Sequence, residues 1–479
     1  MADMPDRYRP IGDYGLISDC HSTALISSEG SIDWACLRRF DAGSAFARML
    51  DHDRGGFFSI RPTATIERTE RSYLGATMVL QTTMHTATGT LLITDAFAMR
   101  TGGATAPRSQ LLRSVECLDG GLDVEVRIEP RFDYGATRPW LSDAGSKRWM
   151  GIGGDDALLV ASDLNLGIDR ASSALRCTVP MAEGDRAVVT ALSRPAHRAD
   201  PDEIDAGLVG EYLDETIGWW TAWAEVTRAQ GPHADTLVRS ALVLKSLCCA
   251  PTGAIIAAPT TSLPEVPGGS ANWDYRYCWV RDATMALEAL GEVGHHEVAA
   301  GFRNFIVRSA AGQGNELQIV YGAYGARRLT ELELDLDGWR GSRPVRIGNG
   351  AVNQRQLDVY GHLLQAAHLW HERGTELTED EWRFLVSVVN EAVAHRDDAD
   401  SGLWEMRGPP RHFVHSKVMI WVALDRGIAL VTDHGQPTDV GVDLDRWIAS
   451  TVATIAGSVA STNPTSGSFN RLASSFCEP

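Results

Sequence analysis

Eleven consecutive residues, Asn272-Trp273-Asp274-Tyr275-Arg276-Tyr277-Cys278-Trp279-Val280-Arg281-Asp282, hold four aromatic rings and four charged groups. A sugar site wants both kinds: flat rings against C–H faces, and charged groups that grip hydroxyls bidentately. The same residues would also suit a buried Arg–Asp clamp at a helix start, because buried charges must be paired and buried Tyr and Trp need polar partners. Composition leaves both arrangements open. A second cluster, Gly402-Leu403-Trp404-Glu405-Met406-Arg407-Gly408, favours the sugar reading. It sets a carboxyl beside an indole, and an apolar neighbour raises a carboxyl pKa toward the range that general-acid work needs.

The elements that must carry these clusters change character along the chain. Residues 8 to about 200 read as β, with short alternating runs such as Met78-Val79-Leu80-Gln81-Thr82 and Val124-Glu125-Val126-Arg127-Ile128 punctuated by Gly, Asp, Ser and Thr. This is a sandwich pattern. Leu208, Tyr212, Ile217, Trp220 and Trp223 form an apolar stripe suited to a linking helix within 201–234. From Asp235 onward the period is helical, with expected helices at 235–249, 282–293, 296–310, 354–372, 379–395, 416–431 and 441–456. Two long connections, 250–281 and 311–353, are rich in Gly, Pro, Arg and aromatics, and structureless connections of that length are usually functional. The expected domains are therefore 1–200, a linker over 201–234, and 235–479.

The chain has 479 residues and a net charge of −18. That charge argues against nucleic acid and anionic membrane partners. Eight cysteines (Cys20, Cys36, Cys117, Cys177, Cys248, Cys249, Cys278 and Cys477) show no metal-ligand spacing and read as reduced, mostly buried thiols. No metal and no cofactor are expected. With no signal-peptide pattern at Met1–Asp6 and no long apolar segment, the cytoplasm is the expected location. Oligomeric state is not readable.

The two clusters together resemble glycoside hydrolase family 15, the glucoamylase-like and trehalase-like enzymes. Further segments similar to the family's bacterial branch are Pro10–Gly15, Gly30–Trp34, Ala250–Ala254, Pro259–Glu265 and Gly341–Gly350. The resemblance implies an antiparallel β-sandwich followed by an (α/α)6 barrel whose long loops form a sugar-binding crater. It implies inverting hydrolysis of α-glucosidic bonds, in α-glucans, oligosaccharides or trehalose. Two carboxyl groups ~6.5–9.5 Å apart do this: a protonated acid, and a base that activates water. By resemblance Glu405 is the acid, Arg281 and Asp282 hold hydroxyls of the non-reducing glucose, and Trp279 and Trp404 lie beside the sugar. Asp274 and Tyr275 support the loop. Arg343, Arg346, Asn349, Gln354 and Asp358 are further crater-wall residues. His412 and Lys417 are near Glu405 in sequence and could tune its proton.

A general base is not found. In the family it lies late in the chain, whereas the only Glu after Glu405 is Glu478, and Asp425, Asp433, Asp439, Asp443 and Asp445 stand in no matching motif. Seven helices are expected where the barrel needs twelve, so about 120 residues of helix and loop are missing at ordinary lengths. Between Arg446 and Arg471 no Asp, Glu, Lys or Arg occurs, and the stretch Asn463–Phe469 is turn-like. The expectation is a family member that is incomplete at its C-terminal end. The alternative to hydrolysis is a catalytically impaired carbohydrate-binding chain or a non-functional truncated family member that lacks the general base. A phosphorylase using Arg343 and Arg346 as an anion pocket ranks last.

Overall fold

The computed structural model describes residues 7–103 and 106–461, with side chains in the last helix as far as Thr454. Cys477, Glu478 and the polar stretch from Asn463 lie outside the described residues.

An antiparallel β region comes first. Its strands are β1 (Tyr14–Ser18), β2 (Thr23–Ser27), β3 (Ser31–Cys36), β4 (Phe57–Pro62), β5 (Arg68–Tyr73), β6 (Leu80–His85), β7 (Gly89–Phe97), β8 (Gln110–Glu129), β9 (Trp140–Gly145), β10 (Arg148–Gly153), β11 (Asp156–Ser162), β12 (Gly167–Asp169), β13 (Ala174–Ala182) and β14 (Arg186–Pro195). Hydrogen-bonded neighbours run β1-β2-β3-β4-β8-β14-β11-β10-β9, with β5-β6-β7 and β12-β13 also joined through β8. β8 explains this branching. Its first half pairs with β7 and β14, its second half with β4 and β13, and Leu118–Gly121 at the change of partners is exposed. Val115 and Cys117 from one half and Val124, Val126 and Ile128 from the other enter a single core with Ile26, Ile60, Ile93, Val160 and Val189. Each such side chain contributes roughly 1.5–3 kcal/mol on burial, which is why the alternating pattern fixes strand register.

Helix α1 (Val209–Ala224) follows, then α2 (Ala234–Ser246). The buried stripe of α1 is Val209, Thr216, Trp220 and Ala224; Leu208 precedes the helix and is exposed. Trp220, Ala224 and Leu242 pack with Cys20, Met78 and Met99 of the β region. Next come β15 (Thr261–Pro264), β16 (Asn272–Asp274), β17 (Cys278–Trp279), α3 (Val280–Glu292), α4 (Glu297–Ser309), β18 (Val320–Tyr321), β19 (Leu332–Leu334), β20 (Val345–Ile347), α5 (Asp358–Glu372), α6 (Glu379–His395), α7 (Val414–Thr432) and α8 (Leu444–Ser461). The two long connections are thus not structureless. They carry three small antiparallel pairs, β15–β16, β17–β18 and β19–β20.

The chain divides into two compact units: residues 1–277, 292–295 and 330–349, and residues 278–291, 296–329 and 350–479. Within the second unit, α6 opens on a capping box, in which Thr378 and Glu381 each satisfy the other's backbone N–H. Helix α5 is buried over most of its circumference. At Gly361 a Cβ would overlap the Met419 carbonyl, so only glycine lets α5 and α7 approach this closely. No helix among the described residues is long and apolar enough to cross a membrane. Seven cysteines are described, and no disulfide joins any of them among the described residues.

Candidate active site

The eleven-residue cluster divides between the two units, with one Arg–Asp pair in each. In the first unit, Asp274 and Arg276 form the buried clamp. Asp274 Oδ1 accepts from Arg276 Nε at 2.8 Å and Oδ2 from Arg276 Nη2 at 2.7 Å, and the side chains are 0% and 1% exposed. The Tyr277 hydroxyl and the Gly348 N–H also donate to Asp274 Oδ2, and Asn349 Nδ2 donates to the Asp274 carbonyl. The Arg346 guanidinium lies 4.4 Å from the Trp273 ring centroid and donates to Ser270 and Asn272 carbonyls. Arg343 pairs with Asp337, and Tyr275 is half-buried. In the first unit, then, Asp274, Arg346 and Asn349 tie segments of the long loops to one another.

The second half of the cluster lies in the helical unit. Cys278 and Trp279 pair with Tyr321 and Val320, and Val280 N donates to Ile319 O at 3.0 Å, so a short ladder fixes the start of α3. Arg281 and Asp282 follow on its first turn. Glu405 arrives from a loop closed by a bridge between Asp400 and Arg411, with 2.8 Å hydrogen bonds in both directions. Gly402 in that loop has φ +67°, and a Cβ there would sit 2.7 Å from the Phe413 ring. Glu405 itself has φ +53°, the left-handed region that a non-glycine residue adopts only when its surroundings enforce it. Here the Gln354 side chain donates to the Glu405 carbonyl and Glu405 N–H donates to the Gly402 carbonyl.

The Arg281 guanidinium is the hub. Its Nη2 lies 3.1 Å from Asp282 Oδ2 and 3.5 Å from Glu405 Oε1. Its Nη1 donates to Gln356 Oε1 at 3.2 Å and to the Leu403 carbonyl at 3.3 Å. Gln356, which sequence reasoning missed, donates in turn to Gln354. A glutamine between Arg355 and Leu357 gives no periodic or motif signal of this role.

Burial raises the Glu405 pKa above the usual glutamate range, and the Asp282 charge acts in the same direction. The Arg281 charge and hydrogen bonds from the Trp279 indole and Arg281 oppose it. The cause differs from the one expected from sequence adjacency. Trp404 is 83% exposed, so the indole next to the carboxyl is Trp279 and not the chain neighbour. His412 is exposed, and Lys417 donates to the Arg396 and Asp398 carbonyls at 2.7 and 2.6 Å, so its ammonium caps the end of α6. Asp358 is buried near Arg281, with 3.9 Å between its Oδ2 and Nη1.

Changing Trp279 to Phe keeps a ring and removes the donor that favours ionised Glu405. If Glu405 is the reacting acid, the alkaline limb of the pH–rate profile should move up. An unmoved limb would detach this carboxyl from the reaction.

Residues 231–476 match the family model for glycosyl hydrolases family 15, and residues 4–206 match that of a trehalase-like N-terminal domain. The chain is 38% identical over 455 residues to a trehalase of Mycolicibacterium smegmatis, which covers 90% of this chain and 67% of that protein. It is 32% identical over 419 residues to a trehalase of Thermoplasma acidophilum, covering 86% and 70%. Trehalase 1 of Sulfolobus acidocaldarius is 32% identical over 422 residues, covering 86% and 70%. The chain spans about two thirds of the length of these curated relatives. With more than half of its residues matched by that model and these relatives alongside, the chain belongs to glycosyl hydrolase family 15.

Proposed function

We propose that this chain cleaves α-glucosidic bonds, with α,α-trehalose as substrate and inversion at the attacked carbon. One observation carries the chemistry: a mostly buried carboxyl, Glu405, whose pKa burial raises above the usual glutamate range, stands 3.5 Å from a guanidinium that also holds Asp282. Arg281 and Asp282 present a donor and an acceptor at adjacent positions, the pairing that grips vicinal hydroxyls. Glu405 gives its proton to the glycosidic oxygen as the C–O bond breaks, and positive charge develops on the sugar ring. The water that attacks the opposite face calls for a second carboxylate, and Glu405 is the one member of that pair assigned among the described residues. Trehalose as substrate rests on the relatives' names.

The proposed organisation is a β-sandwich over 1–200, a linking segment over 201–234 and an (α/α)6-type catalytic domain from 235. The pairs α3–α4, α5–α6 and α7–α8 are the helical hairpins such a scaffold would repeat.

Glucose release from trehalose, maltose and maltotetraose by the purified chain tests the reading. Trehalose should be cleaved fastest. Equal or faster cleavage of maltotetraose would move the assignment to glucans, and release from none of the three would leave only sugar binding.

A further inference from the structure

Next to the Arg281 hub, the first turns of α5 and α7 bring together three titratable side chains. Asp358 opens α5, His362 lies one turn on at i+4, and His415 is the second residue of α7. The close α5–α7 approach at Gly361 sets their positions. Asp358 Oδ2 stands 3.5 Å from His415 Nε2 and 3.8 Å from His362 Nε2, and one ligand atom from each residue lies within 4.8 Å of the others.

All these atoms are buried and lack hydrogen-bond partners. That holds for both Asp358 oxygens and for Nε2 of His362 and His415, counting the described residues. The Asp358 side chain is 1% exposed and that of His362 10%. A buried carboxylate without donors costs several kcal/mol unless something neutralises it. Arg281 does so only in part, its charge acting on Asp358 from 3.9 Å. Its Nη1 donates to Gln356 and Leu403, its Nη2 faces Asp282 and Glu405, and 3.9 Å to Asp358 is beyond a hydrogen bond. Asp400 is no donor either. Its Oδ2 accepts from Leu357 N–H and the Ser416 hydroxyl, and its charge presses on Asp358. Three carboxyl groups (Asp282, Asp358 and Glu405) thus share one guanidinium, Arg281, while Asp400 acts on Lys417 together with Asp397 and Asp398.

We propose that Asp358, His362 and His415 bind a divalent transition-metal ion of the zinc class. A tetrahedral zinc with bonds of ~2.0–2.2 Å needs ligand atoms roughly 3.3–3.6 Å apart, close to the 3.5 and 3.8 Å at which Asp358 Oδ2 stands from the two imidazoles. Two imidazoles and one carboxylate are a zinc-type donor set, with the fourth position left for water. The ion would supply the charge that Asp358 lacks and free Arg281 from attraction toward it.

The test uses the full chain, stripped with a chelator and titrated with Zn2+ against a chromophoric competitor, with Co2+ as a visible-absorption probe. No sugar is present, so the outcome is independent of the hydrolase reading. One tightly held Zn2+ is expected, weakened at least ~10-fold by His362→Ala and by His415→Ala. His434→Ala serves as a control, because His434 belongs to a separate group with His368 and Glu372, and it should leave this binding unchanged. X-ray absorption on the zinc-loaded wild type should show two imidazole ligands, which keeps the test decisive if a variant misfolds. Absence of Zn2+ binding at micromolar metal, a spectrum without two imidazoles, or loss of the tight ion in His434→Ala alone would overturn the proposal.

Discussion

Glu405→Gln should lower α-glucoside cleavage by ~10²–10⁴-fold, the usual contribution of a general acid, while leaving the thermal transition nearly unchanged. Gln has the shape of Glu and still offers Arg281 an oxygen. Arg281 keeps Asp282 at 3.1 Å, so no buried cation is stranded. Because burial already disfavours the Glu405 charge, a neutral amide is tolerated there. The loss should depend on the leaving group. Fluoride departs from α-glucosyl fluoride without needing a proton, so the variant should keep most of its rate on that substrate. An equal loss on trehalose and on the fluoride would mean that Glu405 acts on binding or folding instead of proton transfer.

The second large effect is structural. Asp274→Ala should cost about 3–5 kcal/mol, the range for breaking a buried ion pair from one side. Asp274 accepts from Arg276 Nε and Nη2, from Tyr277 and from Gly348 N–H. Without it, Arg276 stays buried with the Ala42 carbonyl and the rings of Trp34 and Tyr134 at 5.7 and 5.3 Å. A chain of two compact units need not melt in one step, so the readout is amide exchange in residues 257–277 together with the first thermal transition. Replacing both partners, Asp274→Leu with Arg276→Met, should recover much of the loss. A single change that leaves exchange and melting unaltered would remove the clamp from the account.

Legibility in the sequence followed locality. The alternation in β6, where Leu80, Thr82 and Met84 are buried and Gln81, Thr83 and His85 less so, is a period-two signal that survives folding. Helix α6 begins at Glu379, as expected, because Thr378 and Glu381 form its capping box. Helix α5 starts at Asp358 and not at 354, since residues 350–353 form a 3-10 turn and Gln354 and Gln356 turn their side chains to Glu405 and Arg281. Arg281, Asp282 and Glu405 were found because a motif marks each end of the contact. The indole beside Glu405 was assigned to Trp404, the chain neighbour. A left-handed residue in a tight loop re-aims its neighbours, and Trp279, distant in sequence, occupies the place. Within 272–282, one buried pair, Asp274–Arg276, fixes the loop, and the next, Arg281–Asp282, faces Glu405. Types and spacing did not divide them, because both are Arg–Asp neighbours among aromatics. The Asp358–His362–His415 group gives no sequence signal because its members come from two helices that are distant in the chain and pack closely past Gly361.

The anomers released in the first minutes from α,α-trehalose, followed by proton NMR before mutarotation, test the central claim most directly. Inversion at the attacked glucose gives the β anomer while the departing glucose leaves as α. The expected result is therefore equal α and β from the wild type, with none detectable from Glu405→Gln over the same interval. Release of α-glucose alone, no release by the wild type, or undiminished release by Glu405→Gln would contradict it.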